Sequence, residues 1–104
     1  MPLRAPLLVA VIARLQAHAK VPAQEQLLAA GCAAHGLLLA AHAMGIGAVW
    51  RTGELSRSRA MAEGLGLTAD EQLIAFIYLG TPMGEPRTPV LLEPQGFVSA
   101  WPGV

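Results

Sequence analysis

The stretch Ala23–Gly45 reads AQEQLLAAGCAAHGLLLAAHAMG. It holds no proline, and Glu25 is its single formal charge. Alanine and leucine dominate, and both are strong helix formers. Pro22 suits the first helical turn, where its missing N–H costs no hydrogen bond. Gly45 suits the closing position, because glycine readily takes the left-handed conformation that ends a helix. The sequence therefore predicts one helix from Ala23 to Met44, about six turns long. It is apolar nearly all round, since Gln26 to Trp50 carry no formal charge with histidine neutral. Such a helix is either central to a larger core or a membrane span. His35, His42, Gly31 and Gly36 interrupt it and no basic cluster flanks it, which favours a central helix packed on all sides. Gly31, Ala34, Gly36, Ala40 and Ala41 leave room for a second helix to approach, across a dimer axis for example.

On either side lie strand-like runs. Pro6 to Ala13 is continuous, apolar and rich in β-branched residues, as a buried strand is. A secretory signal is the competing reading: Arg4 precedes the run and Ala17-His18-Ala19 has the form of a cleavage site. Pro6, Val9, Val11 and Ile12 argue for the strand, as do Arg14 and Gln16 just beyond it. Leu15 to Lys20 reads as a polar connection. Gly47 to Arg51 reads as a short strand and Thr52-Gly53-Glu54 as a turn. Ser56 or Ser58 is placed to cap a short helix running through Met61 and Glu63 and stopping at Gly64. Thr68-Ala69-Asp70-Glu71 has the form of a capped turn before a second strong strand, Leu73 to Leu79. Gly80-Thr81-Pro82 ends that strand. Residues 82–96 hold Pro82, Pro86, Pro89 and Pro94, so residues 82–104 read as an extended arm with Phe97 to Trp101 as a last short strand suited to another subunit's sheet. The whole, residues 1–104, is expected to be a single α+β domain.

Composition narrows the function. Of 104 residues, 54% are hydrophobic and 13% charged, with zero formal net charge. The charged share is about half the usual ~25%. This excludes a disordered chain, and the missing basic surplus argues against nucleic acid as a partner. A domain of this size cannot hide so much apolar surface alone, so one face is expected to meet a partner subunit, a further part of the fold or a membrane. Cys32 is the single cysteine. It permits no intrachain disulfide and points to a reducing compartment, the cytoplasm.

Chemistry-bearing residues are few. His35 and His42 are two helical turns apart, about 10 Å along the axis, too far to share one metal ion. They are expected to hydrogen-bond or to line an interface. Cys32 reads as a small hydrophobe with no basic neighbour to activate it. Gly45-Ile46-Gly47 lies at a helix end, not at the helix start a dinucleotide fingerprint requires. The sequence holds no nucleophile elbow, zincin motif or phosphate loop. Trp50-Arg51-Thr52-Gly53 is the most informative segment. It brings an aromatic wall, a guanidinium fork and a hydroxyl to one strand end, which is half of an anion or nucleotide site. The plainer reading is a core tryptophan beside a solvated arginine.

Five blocks in order resemble the C-terminal half of the small bacterial FMN-dependent NAD(P)H nitroreductases. They are RAPLLVAVIA from Arg4, HAKVP from His18, EQLLAAGCAA from Glu25, GIGAVWRTG from Gly45 and FIYLGTP from Phe76. The resemblance covers roughly residues 3–82. It implies a nitroreductase-like α+β fold whose sheet, antiparallel or mixed, packs on a long central dimer helix. It also implies an obligate homodimer with FMN at the interface and a terminal arm that wraps the partner. Trp50, Arg51 and Thr52 then become FMN contacts, with Arg51 on the phosphate. Ala40, Ala41, His42, Ala43, Met44 and Gly45 match a stretch implicated in nicotinamide nucleotide binding. The activity implied is hydride transfer from NAD(P)H through the flavin to nitroaromatic or quinone-like acceptors, with no protein acid or base required. The family's opening helix, with its R-R-S-x-R-like flavin-gripping motif, has no counterpart in these 104 residues. One alternative is therefore a truncated or non-catalytic self-associating module that binds no flavin. Another is a small secreted or membrane-anchored protein.

Overall fold

Three apolar runs form one antiparallel sheet in the computed structural model, which describes residues 6–53, 58–84 and 87–102. Arg4, Glu54, Ser56 and Pro86, used above, lie outside the described residues. Strand β1 spans Leu7–Arg14, β2 Gly47–Arg51 and β3 Glu71–Gly80. Their order is β1-β3-β2, and β3 pairs antiparallel with both neighbours. The last strand in sequence thus sits in the middle. Helix α1, Ala23–Ala43, links β1 to β2 and packs on all three strands. The layout is α+β, as expected, and the described sheet is wholly antiparallel.

Register sets the core. Val9 lies opposite Ile77 and Val11 opposite Ala75, while on the other side Trp50 lies opposite Ile77 and Ala48 opposite Leu79. Directly paired residues share a face. One face therefore carries Val9, Val11, Ala75, Ile77, Leu79, Ala48 and Trp50, and α1 lays Ala34, Leu37 and Leu38 on it. Ala34, Ala75 and Ile77 are completely buried. Two alanines at the crossing let helix and sheet come close. A bulge interrupts β1 and β3: Val11 pairs with Ala75 but Ile12 with Leu73, so Ile74 is an extra residue that shifts the register there.

The helix departs from the expectation of packing on all sides. Its covered stripe is Leu27, Ala30, Gly31, Ala34, Leu37, Leu38 and Ala41, at helical spacing. Leu28, Cys32, His35, Leu39 and His42 form an exposed seam, stepping by four and three residues as the a and d positions of a heptad do. The small residues divide accordingly. Gly31, Ala34 and Ala41 serve the chain's own sheet, while Gly36 and Ala40 face outward. By length and composition alone α1 could cross a membrane. One stripe of it lies on the sheet, with Ala34 and Ala41 its buried residues.

Both helices end at a left-handed glycine, α1 at the expected Gly45 and the second helix two positions beyond the expected Gly64. The Gly45 N–H donates to His42 O at 3.0 Å and the Ile46 N–H to Ala41 O at 2.8 Å, with Gly45 at φ 75°. This paired closure satisfies carbonyls that the helix end would otherwise leave open. Helix α2, Arg59–Leu65, closes the same way through Gly66 and Leu67. It starts at Ser58, whose Oγ accepts from the Met61 N–H at 3.0 Å. It continues past Gly64, because the left-handed residue that stops it is Gly66, at φ 73°. The Thr68–Glu71 turn is closed from both sides: Thr68 N–H donates to Glu71 Oε1 at 2.9 Å, and Glu71 N–H to Thr68 O at 3.1 Å. Gly47 is needed for close approach, since a Cβ there would lie 3.1 Å from the Gly80 carbonyl oxygen.

The connection from β1 to α1 is held by side chains. Gln26 Oε1 accepts from the Gln16 N–H at 2.9 Å, and Gln26 Nε2 donates to Gln16 O at 2.8 Å and Val21 O at 2.9 Å. One side-chain amide thus completes a peptide-like pair with Gln16. Gln26→Ala removes all three bonds at an exposed site and is expected to lower stability by about 1–2 kcal/mol. A urea melt with unchanged midpoint would contradict this.

Beyond β3 the chain leaves the sheet. The short strand expected at Phe97 to Trp101 is not formed within this chain; those residues are exposed, and a 3₁₀ turn, Pro94–Gly96, precedes them. Strand pairing needs a neighbouring edge, and within one chain this segment does not join one. The radius of gyration is 17.3 Å, against about 13 Å for a compact chain of this length. The accessible surface is 8786 Å², where a compact 10.9 kDa monomer exposes roughly 5,600 Å².

Candidate functional site

Trp50, Arg51 and Thr52 lie at the C-terminal end of β2, an edge strand. Neighbouring strand residues point to opposite faces. Trp50, opposite Ile77, joins the helix-covered face. Its ring atom Cη2 lies 3.9 Å from where a Cβ at Gly31 would sit, which places the indole against that turn of α1. Arg51, opposite Phe76, is on the other face and exposed. Thr52 is exposed too, and Gly53 turns the chain at φ 60°. The three side chains gather at one strand end as expected, but the tryptophan and the arginine part to different faces.

That arrangement suits an oxyanion better than a ring. An exposed guanidinium and an adjacent hydroxyl offer donors to a phosphate. They fit the phosphate end of FMN. Within one chain Trp50 is partly buried on the helix-covered face, so its indole supports β2. Strand alternation was the signal that separates these roles, and it is readable in the sequence.

The second candidate stretch lies at the carboxyl end of α1. Ala41 is buried in the chain's own core, whereas Ala40, His42, Ala43, Met44 and Gly45 are exposed. Met44 is 72% exposed. A helix carboxyl end carries partial negative charge, which disfavours phosphate. Contacts here suit the uncharged part of a nucleotide. Among the described residues no cluster of three or more histidine, cysteine or acidic side chains could hold a metal, and no charged or polar residue is buried. Phe76, buried beside Arg51 in the register, and Gln26 and His18, which hold the loop before α1, were not singled out from the sequence. Only pairing register and loop geometry bring them forward.

Comparison with known proteins agrees with this fold. Residues 1–81 match the Nitroreductase family. The chain is 38% identical over 99 residues to the protein named "Putative NAD(P)H nitroreductase YdjA" of Escherichia coli, covering 94% of this chain and 54% of that one. It is 42% identical over 81 residues to a "Putative NAD(P)H nitroreductase" of Haemophilus influenzae, covering 77% of this chain and 44% of that one. The crystal structure of a nitroreductase-like family protein from Bacillus cereus superposes with a TM-score of 0.76 at 20% identity, over 92% of this chain and 51% of that one, and shares its fold. The protein named "putative nitroreductase" from Desulfovibrio desulfuricans, solved in complex with FMN, superposes with a TM-score of 0.61 at 31% identity, over 83% of this chain and 53% of that one. The chain spans about half the length of the curated relatives it matches. With 81 of its residues matching the family and the same sheet-on-helix architecture in solved members, this chain belongs to the nitroreductase family.

Proposed function

We propose that the chain works in an FMN-dependent oxidoreductase of nitroreductase type, using NAD(P)H and a small-molecule acceptor. The observation that carries this reading is the exposed Arg51-Thr52 pair at the end of β2, in a family member with an FMN-bound relative. The chemistry FMN supplies when bound is hydride transfer from NAD(P)H to nitroaromatic or quinone-like compounds. Arg51 donates to the flavin phosphate, and the Thr52 hydroxyl adds a second donor. Trp50 fixes the strand end by packing under α1 and so holds Arg51 in place. Ala40, Ala43 and Met44 offer apolar contact to the nicotinamide nucleotide, beside His42 and Gly45. No side chain is asked to move a proton.

The same reading includes a homodimer across the outer face of α1. Leu28 and Leu39 are 62% and 58% exposed on the seam that also carries Cys32, His35 and His42. Surface in excess of a compact monomer by roughly 3,000 Å² is ample for a permanent interface. The arm from residue 82 onward supplies part of it, with Phe97, Val98 and Trp101 exposed for the partner. A lone Cys32 fits the reducing cytoplasm.

The test is a flavin titration of the purified chain, read by absorbance after removal of free FMN. Retained flavin is expected. Arg51→Ala should weaken binding about 10- to 100-fold, corresponding to about 1.5–3 kcal/mol for a charge-assisted contact. Unchanged affinity in that variant removes Arg51 from the site, and a wild-type chain that binds no FMN overturns the reading.

A further inference from the structure

The connection between β1 and α1 contains a histidine used as an acceptor. His18 Nδ1 lies 3.0 Å from the Lys20 N–H and 3.2 Å from the Val21 N–H, and both donate to it. A side chain that accepts from backbone two and three residues on ordinarily belongs to Asp, Asn, Ser or Thr. Those acceptors survive at mildly acidic pH. An imidazole does not: once protonated, both ring nitrogens are donors. The residues held this way lead into Pro22, whose carbonyl accepts from Glu25 and Gln26 in the first turn of α1. Every residue from Gln16 to Glu25 is exposed, so the loop has no buried side chain to keep it folded once His18 lets go.

We infer that His18 is a protonation-sensitive latch of the β1–α1 loop. In its neutral form, with the proton on Nε2, it holds Lys20 and Val21 and sets the start of α1. Protonation places a donor against two donors and releases them. Gln26 grips the ends of the same loop at Gln16 and Val21, so release is confined to the segment between. The charged groups bordering the loop are Lys20 within it, Arg14 at the end of β1, Glu25 in the first turn of α1, and Asp70 and Glu71 where β3 begins beside Leu15. The loop's state therefore depends on whether the ring carries one proton or two.

Nitrogen-15 spectra of the full chain between pH 8 and pH 5 test this, together with amide exchange corrected for its intrinsic pH dependence. At pH 8, His18 should show the Nε2–H tautomer. Protection of the Lys20 and Val21 amides should fall about three- to tenfold as the ring protonates, the worth of one ordinary hydrogen bond each. His18→Asn restores a pH-independent acceptor and should keep both amides protected throughout. His18→Phe should leave them unprotected at every pH. An Nδ1–H tautomer at pH 8 overturns the latch. So does protection that stays constant while the ring titrates, or that falls equally in His18→Asn.

Discussion

Ile77→Ala is expected to lower the unfolding free energy by about 3–4 kcal/mol. Among the described residues Ile77 is the largest side chain wholly removed from water. It lies in the central strand, paired with Val9 on one side and Trp50 on the other, beneath Ala34 of α1. Truncation loses the transfer energy of three carbons and leaves a cavity whose walls are strands and a helix, which relax little. Domains of this size are stable by only about 5–15 kcal/mol, so much of the margin goes with one residue. Chemical denaturation monitored by far-UV circular dichroism measures it. A loss below about 1 kcal/mol would mean that Ile77 is not the centre of the core.

Ala34→Leu should destabilise the chain by about 1–3 kcal/mol through overpacking. Ala34 and Ala75 are both fully buried where α1 crosses the sheet. Three additional carbons fit only if the helix lifts from β3. Ala33→Leu is the internal control. Ala33 is on the same helix and exposed, and leucine is nearly as good a helix former as alanine. Stability should therefore change little there. Equal effects at the two positions would place the helix–sheet contact elsewhere on α1.

Much of the fold is legible because the signals are local. The helix from Ala23 is marked by composition and closed by Gly45, and the strand Gly47–Arg51 has the bounds its sequence predicts. The Thr68–Glu71 turn follows from side chains that reach only three residues. Helix α2 runs past the expected stop at Gly64 to Leu65, because a glycine inside a helix ends it only where its backbone turns left-handed, and that happens at Gly66. The segment Phe97 to Trp101 has the composition of a strand but forms none here, because strand formation depends on an available edge as well as on propensity.

The candidate site divides in the same way. That Trp50, Arg51 and Thr52 end one strand is a matter of sequence order. That Trp50 packs beneath Gly31 while Arg51 stands beside Phe76 on the far face depends on which face α1 covers.

The sequence by itself determined the long helix with its closing Gly45, the capped start of the short helix and the three strands in their order, because those depend on bonds and patterns within a few residues. It also determined that the chain carries more apolar surface than it can bury. Tertiary structure alone decided that β3 enters between β1 and β2, that one stripe of α1 is covered while the seam from Leu28 to His42 stays open, and that Trp50, not Arg51, takes the helix-covered face. Those outcomes rest on contacts between residues far apart in the chain, where pairing register and packing choose among faces that local propensity leaves equivalent.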